Sequence, residues 1–178
     1  MDEIMTERID WHDYFLSQAI LVSVRSPDTQ TKVGAIFVNS DHRIVSTGFN
    51  GFVPGAPDSE LPNTRPNKYP FMLHAEKNAL LSCARQGKST DGLIAYTFAE
   101  PCWNCLYDMV GAGIREVHFI HNPFLKMNGF STTQEWNTQS YWLKNHISIH
   151  YYPIKILKLT KNILETLYSQ VYNKPDQQ

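Results

Sequence analysis

Two short segments restrict this chain more than anything else in it: His74-Ala75-Glu76, and Pro101-Cys102-Trp103-Asn104-Cys105. Each stands at the start of a helical pattern. After His74 the apolar positions Ala75, Ala79, Leu80 and Cys83 repeat at helical spacing until Gly87 ends the run. The second segment follows a strand-like run, Leu93 to Ala99, and leads into CLYDMVGAGI, which again has helical spacing. Two thiols three positions apart at a helix start lie on nearly the same face. The unsatisfied amides and the dipole of the first turn lower the cost of carrying negative sulfur there. If both helix starts lie side by side at one edge of a sheet, His74, Cys102 and Cys105 supply three zinc ligands and leave a fourth position open. That is a catalytic rather than a structural arrangement. Glu76 then sits close to the metal without ligating it, in a position to carry a proton. Taken alone, a histidine at a helix start is structural or exposed, and a lone C-x-x-C also fits a dithiol redox pair. The coincidence of ligand types, spacing and helix-start contexts favours metal over both.

Around these segments the pattern alternates helix and strand. Trp11 to Val22 carries apolar residues at helical spacing, with Asp10 as its cap, and Pro27 stops it. Lys32 to Asn39 and Arg43 to Phe49 form a predicted hairpin. Asn50 to Lys68 is a long loop rich in Gly, Pro, Asn and Asp, and such loops are uncommon unless functional or disordered. Further strands are predicted over Arg115 to His121 and around Ser148 to Ile154. Further helices are predicted from Thr133–Trp136 to Lys144 and near Asn162 to Val171. The pattern implies a mixed α/β layer structure in one domain spanning residues 1–178, with a C-terminal extension from about residue 156.

Charge separates the partner classes. The 178 residues hold 16 basic and 17 acidic side chains, a net charge of -1, so no broad field exists for gripping a polynucleotide. Arg65 and Lys68 in the long loop suffice for one phosphate. The opening residues lack the basic and apolar regions of a secretion signal. No run approaches the roughly 18 apolar residues that cross a bilayer. The expectation is a soluble cytoplasmic protein, in the host cytoplasm if viral. The three cysteines, Cys83, Cys102 and Cys105, cannot form a complete disulfide set.

H-x-E with P-C-x-x-C is the signature of zinc nucleobase deaminases, and the chain resembles the cytidine deaminase superfamily, most of all its deoxycytidylate (dCMP) deaminases. The resemblance covers roughly residues 9 to 125. It includes WHDYF, RSPDTQTKVGAIFVN, STGFNG and KYPFMLHAEKNAL in the family's order. It implies a cytidine-deaminase-like three-layer fold, a five-stranded mixed sheet flanked by helices. It also implies attack of zinc-activated water on C4 of cytosine, giving dUMP for thymidylate synthesis and releasing ammonia. By the same resemblance Glu76 shuttles protons, Asn50 contacts the nucleoside sugar and the Ala75 backbone touches the base edge. Arg25, Asn50, Lys68 and Tyr69 are implied supports for the phosphate. Homo-oligomers, often hexamers, are usual in the family, and regulation by dCTP or dTTP with Mg2+ is common.

Two departures bear on the expectation. Some relatives carry a second, structural zinc on added Cys and His residues before H-x-E. That segment has no cysteine here, so a second zinc of that kind is not expected. His121 to Lys126 and Gly129 to Tyr141 also depart from the family pattern. A C5-modified dCMP, or cytosine or adenine in nucleic acid, therefore stays open as substrate. A non-catalytic assembly protein stabilised by zinc is the reading from a different class.

Overall fold

One strand with no exposed residue organises the sheet. A computed structural model describes residues 8–121, 143 and 145–153. In it β1 (Gly34–Val38) is buried along its length and pairs antiparallel with β2 (Ile44–Phe49) on one side and β3 (Ile94–Thr97) on the other. β4 (Glu116–His121) and β5 (Ser148–Pro153) then add in parallel, giving the order β2-β1-β3-β4-β5. The expected five-stranded mixed sheet is the one observed. Each strand is one to three residues shorter than its predicted run.

Alternation along β1 and β3 divides the core into two layers. Ala35, Phe37 and Ala95 face the side covered by α2 (Ala75–Arg85) and α3 (Trp103–Gly111), with Ala79, Leu106 and Met109. Ile36, Val38, Tyr96 and Phe98 face the other side, covered by Phe15, Leu16 and Ile20 of α1 (Trp11–Ser23). Each large apolar side chain buried in this way stabilises the fold by roughly 1.5–3 kcal/mol. The carboxylate of Asp10 accepts from the His12 and Asp13 amides, so it caps α1 as its spacing predicts.

The packing that fixes the site is between β2 and α2. A Cβ on Gly48 would lie 2.2 Å from the Ala75 carbonyl oxygen and 2.4 Å from the Ala79 nitrogen, so only glycine admits the helix this close. Ser46 Oγ donates to the Ala79 carbonyl at 2.8 Å, and Asn78 Nδ2 donates to the Phe49 carbonyl at 2.8 Å. The start of α2 is thereby held beside the end of β2, where the long loop leaves. That loop has structure of its own. Gly51 and Leu73 exchange backbone hydrogen bonds, at 3.0 and 2.8 Å, and close it onto the residue before His74.

Of the helix predicted to end at Lys144, only Leu143 is described, and it is buried. The helix predicted near Asn162 to Val171 and the extension from about residue 156 lie outside the described residues. Among the described residues no helix is long and apolar enough to cross a membrane.

Candidate active site and metal centre

His74 and Cys102 occupy equivalent positions: each is the N-cap of its helix, with extended backbone, and neither makes a side-chain capping hydrogen bond. Ordinary caps spend their side chains on the first-turn amides. These two are free to point at each other. Cys105, in the first turn of α3, completes the group. His74 Nδ1 lies 3.5 Å from Cys102 Sγ and 3.4 Å from Cys105 Sγ, and all three donor atoms lie within 4.8 Å of one another. Tetrahedral zinc with bonds of about 2.3 Å to sulfur and 2.0–2.1 Å to nitrogen requires donor separations near 3.5–3.8 Å. The soft donor set and its spacing fit zinc.

Proton affinities follow from this crowding. A hydrogen bond from Cys105, and then one from His74, pulls the Cys102 thiol down to about 4. Cys105, sharing that bond and buried, is pushed upward. The Cys102 contact raises His74. A cation entering a group of thiols and imidazole displaces protons from it. Glu76, in the first turn of α2, is buried and does not belong to the donor set. Its burial raises the carboxyl above the usual range, opposed in part by His74. A carboxyl with that affinity is suited to accept a proton and give it back.

These groups form one side of a cleft of about 330 Å³. The other side is a buried polar network. Asn50 Nδ2 donates to Asp28 Oδ2 at 3.0 Å and to the Thr31 carbonyl at 2.8 Å, while its Oδ1 accepts from the Val33 amide at 2.7 Å. Lys68 Nζ donates to the same Asp28 Oδ2 at 2.5 Å, both side chains being almost fully buried. Arg65, exposed at the rim, donates from its guanidinium to Thr31 Oγ1 at 2.6 Å.

The cleft brings together His74, Ala75, Glu76 and Cys102 with Asn50, Arg65, Lys68 and Tyr69. Arg25 is exposed and is not among the lining residues. Sequence reasoning assigned no part to Asp28, Thr31 or Met72, all of which line the cleft. Asp28 and Thr31 lie inside RSPDTQTK, so the segment carried the signal, but spacing gave no hint that Asp28 pairs with a lysine forty positions later.

Comparison with known proteins bears directly on this geometry. Residues 9–121 match the cytidine and deoxycytidylate deaminase zinc-binding region. Deoxycytidylate deaminase of Pongo abelii is 35% identical over 122 residues, 65% of this chain and 67% of the relative. Deoxycytidylate deaminase of Mycobacterium phage D29 is 35% identical over 123 residues, 62% of this chain and 94% of the relative. The solved apo dCMP deaminase of cyanophage S-TIM5 superposes with a TM-score of 0.62 at 25% identity, over 82% of this chain and all of that one. The matched region contains both helix starts and the strands that hold them, and on that ground the chain belongs to the cytidine and deoxycytidylate deaminase family.

Proposed function

We propose that the chain catalyses the hydrolytic deamination of dCMP, taking up water and releasing dUMP and ammonia. The observation that carries this reading is the buried Glu76 carboxyl beside, but outside, a His-Cys-Cys donor set, in a cleft sized for a single nucleotide. His74, Cys102 and Cys105 would hold zinc, which would supply Lewis acidity and bring the pKa of a bound water toward neutrality. Glu76 takes one proton of the attacking water and passes it to the ring nitrogen, then carries the remaining proton from the new C4 hydroxyl to the amino group, so that the C4–N bond breaks, ammonia leaves and the C4 carbonyl forms. The carboxylate is regenerated at each turnover. The Ala75 backbone lies against the base edge. The Asn50 amide is already committed to Asp28, Thr31 and Val33, which fixes its orientation, and Oδ1 keeps one lone pair for a sugar hydroxyl.

Phosphate recognition falls to the rim. Arg65 and Tyr69 are exposed there, whereas the Lys68 ammonium is bound by Asp28 and contributes mainly by holding the wall. Arg25, outside the lining, reaches the nucleotide only through a neighbouring group or a change of side-chain conformation. The family pattern supports a homo-oligomer, of hexamer size, controlled by dCTP and dTTP with Mg2+, and a cytoplasmic enzyme. One domain spans the chain, with an extension from about residue 156. Rate against dCMP concentration, with and without dCTP or dTTP and Mg2+, tests the control, and unchanged curves contradict it.

A substrate panel tests the main reading. Ammonia release from dCMP is expected to exceed that from dCTP, deoxycytidine and single-stranded DNA. Equal or faster turnover of a nucleoside or an oligonucleotide contradicts it. 5-Hydroxymethyl-dCMP belongs in the panel because His121 to Lys126 departs from the family pattern.

A further inference from the structure

We propose that Glu116, His118 and His150 form a second divalent-cation site, for a borderline metal of the zinc class, on the face of the sheet opposite the active site. The proposal goes beyond the deaminase reading and does not depend on it. It begins with register. Tyr96, His118 and His150 are direct neighbours across β3, β4 and β5, and Glu116 lies two residues before His118 on the same face of β4. That face is the one covered by α1, while Val117 and Phe119 point to the α2–α3 side. The two donor clusters are therefore separated by the sheet.

The donor atoms converge. His118 Nε2 lies 2.7 Å and His150 Nε2 lies 3.2 Å from the same oxygen, Glu116 Oε1, and all three donors lie within 4.8 Å of one another. A cation with bonds of about 2.0–2.1 Å to two imidazoles and a carboxylate requires donor separations near 3.3 Å. To admit it the carboxylate withdraws by less than about 1 Å, and the half-exposed His150 ring turns out of its stack with His118 so that both Nε2 lone pairs point at the ion. Two histidines and one carboxylate with open positions remaining is an established ligand set for zinc and for other borderline metals.

The surroundings suit a ligand rather than a passive stack. His118 is 1% exposed, and its other nitrogen, Nδ1, lies 2.9 Å from Tyr152 Oη. Metal-bound imidazoles characteristically have their second nitrogen held by such a partner. Without a cation, Nε2–H donates to Glu116 and Nδ1 accepts from the tyrosine hydroxyl. With a cation on Nε2, the proton sits on Nδ1 and the hydroxyl oxygen accepts it. A hydroxyl serves either tautomer without moving. Neighbouring rings hold the His118 ring in place: Tyr96 and His150 lie 4.6 Å from it, and His12 of α1 lies 4.4 Å from it. His12 is itself engaged with Tyr96 Oη at 3.0 Å. Access is from the sheet edge, where the side chains of Glu116 and His150 are 33% and 46% exposed. Stacking alone accounts for the parallel rings but not for two Nε2 atoms within 3.2 Å of one carboxylate oxygen, one of them hydrogen-bonded to it.

The test uses full-length protein already loaded with its first equivalent of zinc. Calorimetric titration with Zn2+ at neutral pH is expected to show one further saturable equivalent per chain. In His150→Ala and in the near-isosteric Glu116→Gln, that equivalent is expected to bind at least tenfold more weakly, with the first equivalent and dCMP turnover unchanged. His150 is exposed enough for its removal to leave the fold intact, and circular dichroism of both variants checks this. No second equivalent in the wild type overturns the proposal. A second equivalent retained at full affinity by both variants assigns the binding to other histidines and also overturns it.

Discussion

The two faces of the sheet each gather three potential metal ligands, and they do so by different means. On the α2–α3 face, His74 and Cys102 are helix N-caps, and Cys105 follows one of them within a turn. On the α1 face, Glu116, His118 and His150 come from adjacent parallel strands brought into line by register. The first cluster stands at helix N-termini, whose dipoles favour anionic sulfur, beside a cleft of about 330 Å³. The second stands on a strand pair near the sheet edge, with hard and borderline donors and tyrosine support. Helix ends converge on a cleft, where a bound molecule can reach the donors. Strand rungs hold chains together, so a cation there clips β5 to β4 without touching substrate.

Substitutions can break this contrast, the most disruptive first. Cys105→Ser removes a proposed ligand on the α2–α3 face. Metal analysis is expected to show that zinc equivalent lost and dCMP deamination reduced to background, with Glu116, His118 and His150 untouched. Asp28→Asn strips the buried Lys68 of its ion-pair partner while preserving shape, and breaking a buried pair from one side costs about 3–5 kcal/mol. A denaturant titration monitored by tryptophan fluorescence measures that cost, and a loss below 1 kcal/mol would mean that the pair does not hold the cleft wall. Tyr152→Phe removes the partner of His118 Nδ1 and is expected to weaken the second cation site about tenfold, leaving turnover unchanged. Ser46→Ala deletes the hydrogen bond that ties β2 to α2. Thermal unfolding should report a loss of roughly 1 kcal/mol.

The two clusters also differ in how visible they are in sequence. His74, Glu76, Cys102 and Cys105 announce themselves because helix starts are local events: spacing, capping position and a preceding strand or loop can all be read within a dozen residues. The same holds for α1 with its Asp10 cap and for the β1–β2 hairpin. The second cluster cannot be read that way. His118 and His150 become neighbours only when β4 and β5 pair in one register, and a one-residue slip would turn every side chain to the other face. Lys68 illustrates a different limit. Composition marks it as a loop cation available to phosphate, yet the fold buries it against Asp28, a pairing that depends on where a long loop returns. Gly48 carried no functional signal either, although its missing Cβ is what lets α2 lie against β2.

The most direct test of the central claim, that Glu76 carries protons for a deamination at the His74-Cys102-Cys105 centre, is Glu76→Ala assayed for zinc content and dCMP turnover on the same sample. Zinc is expected to stay at the wild-type level while turnover falls by about 10²–10⁴-fold, the usual contribution of a positioned acid–base group. Turnover near wild type in a zinc-replete sample would contradict the claim.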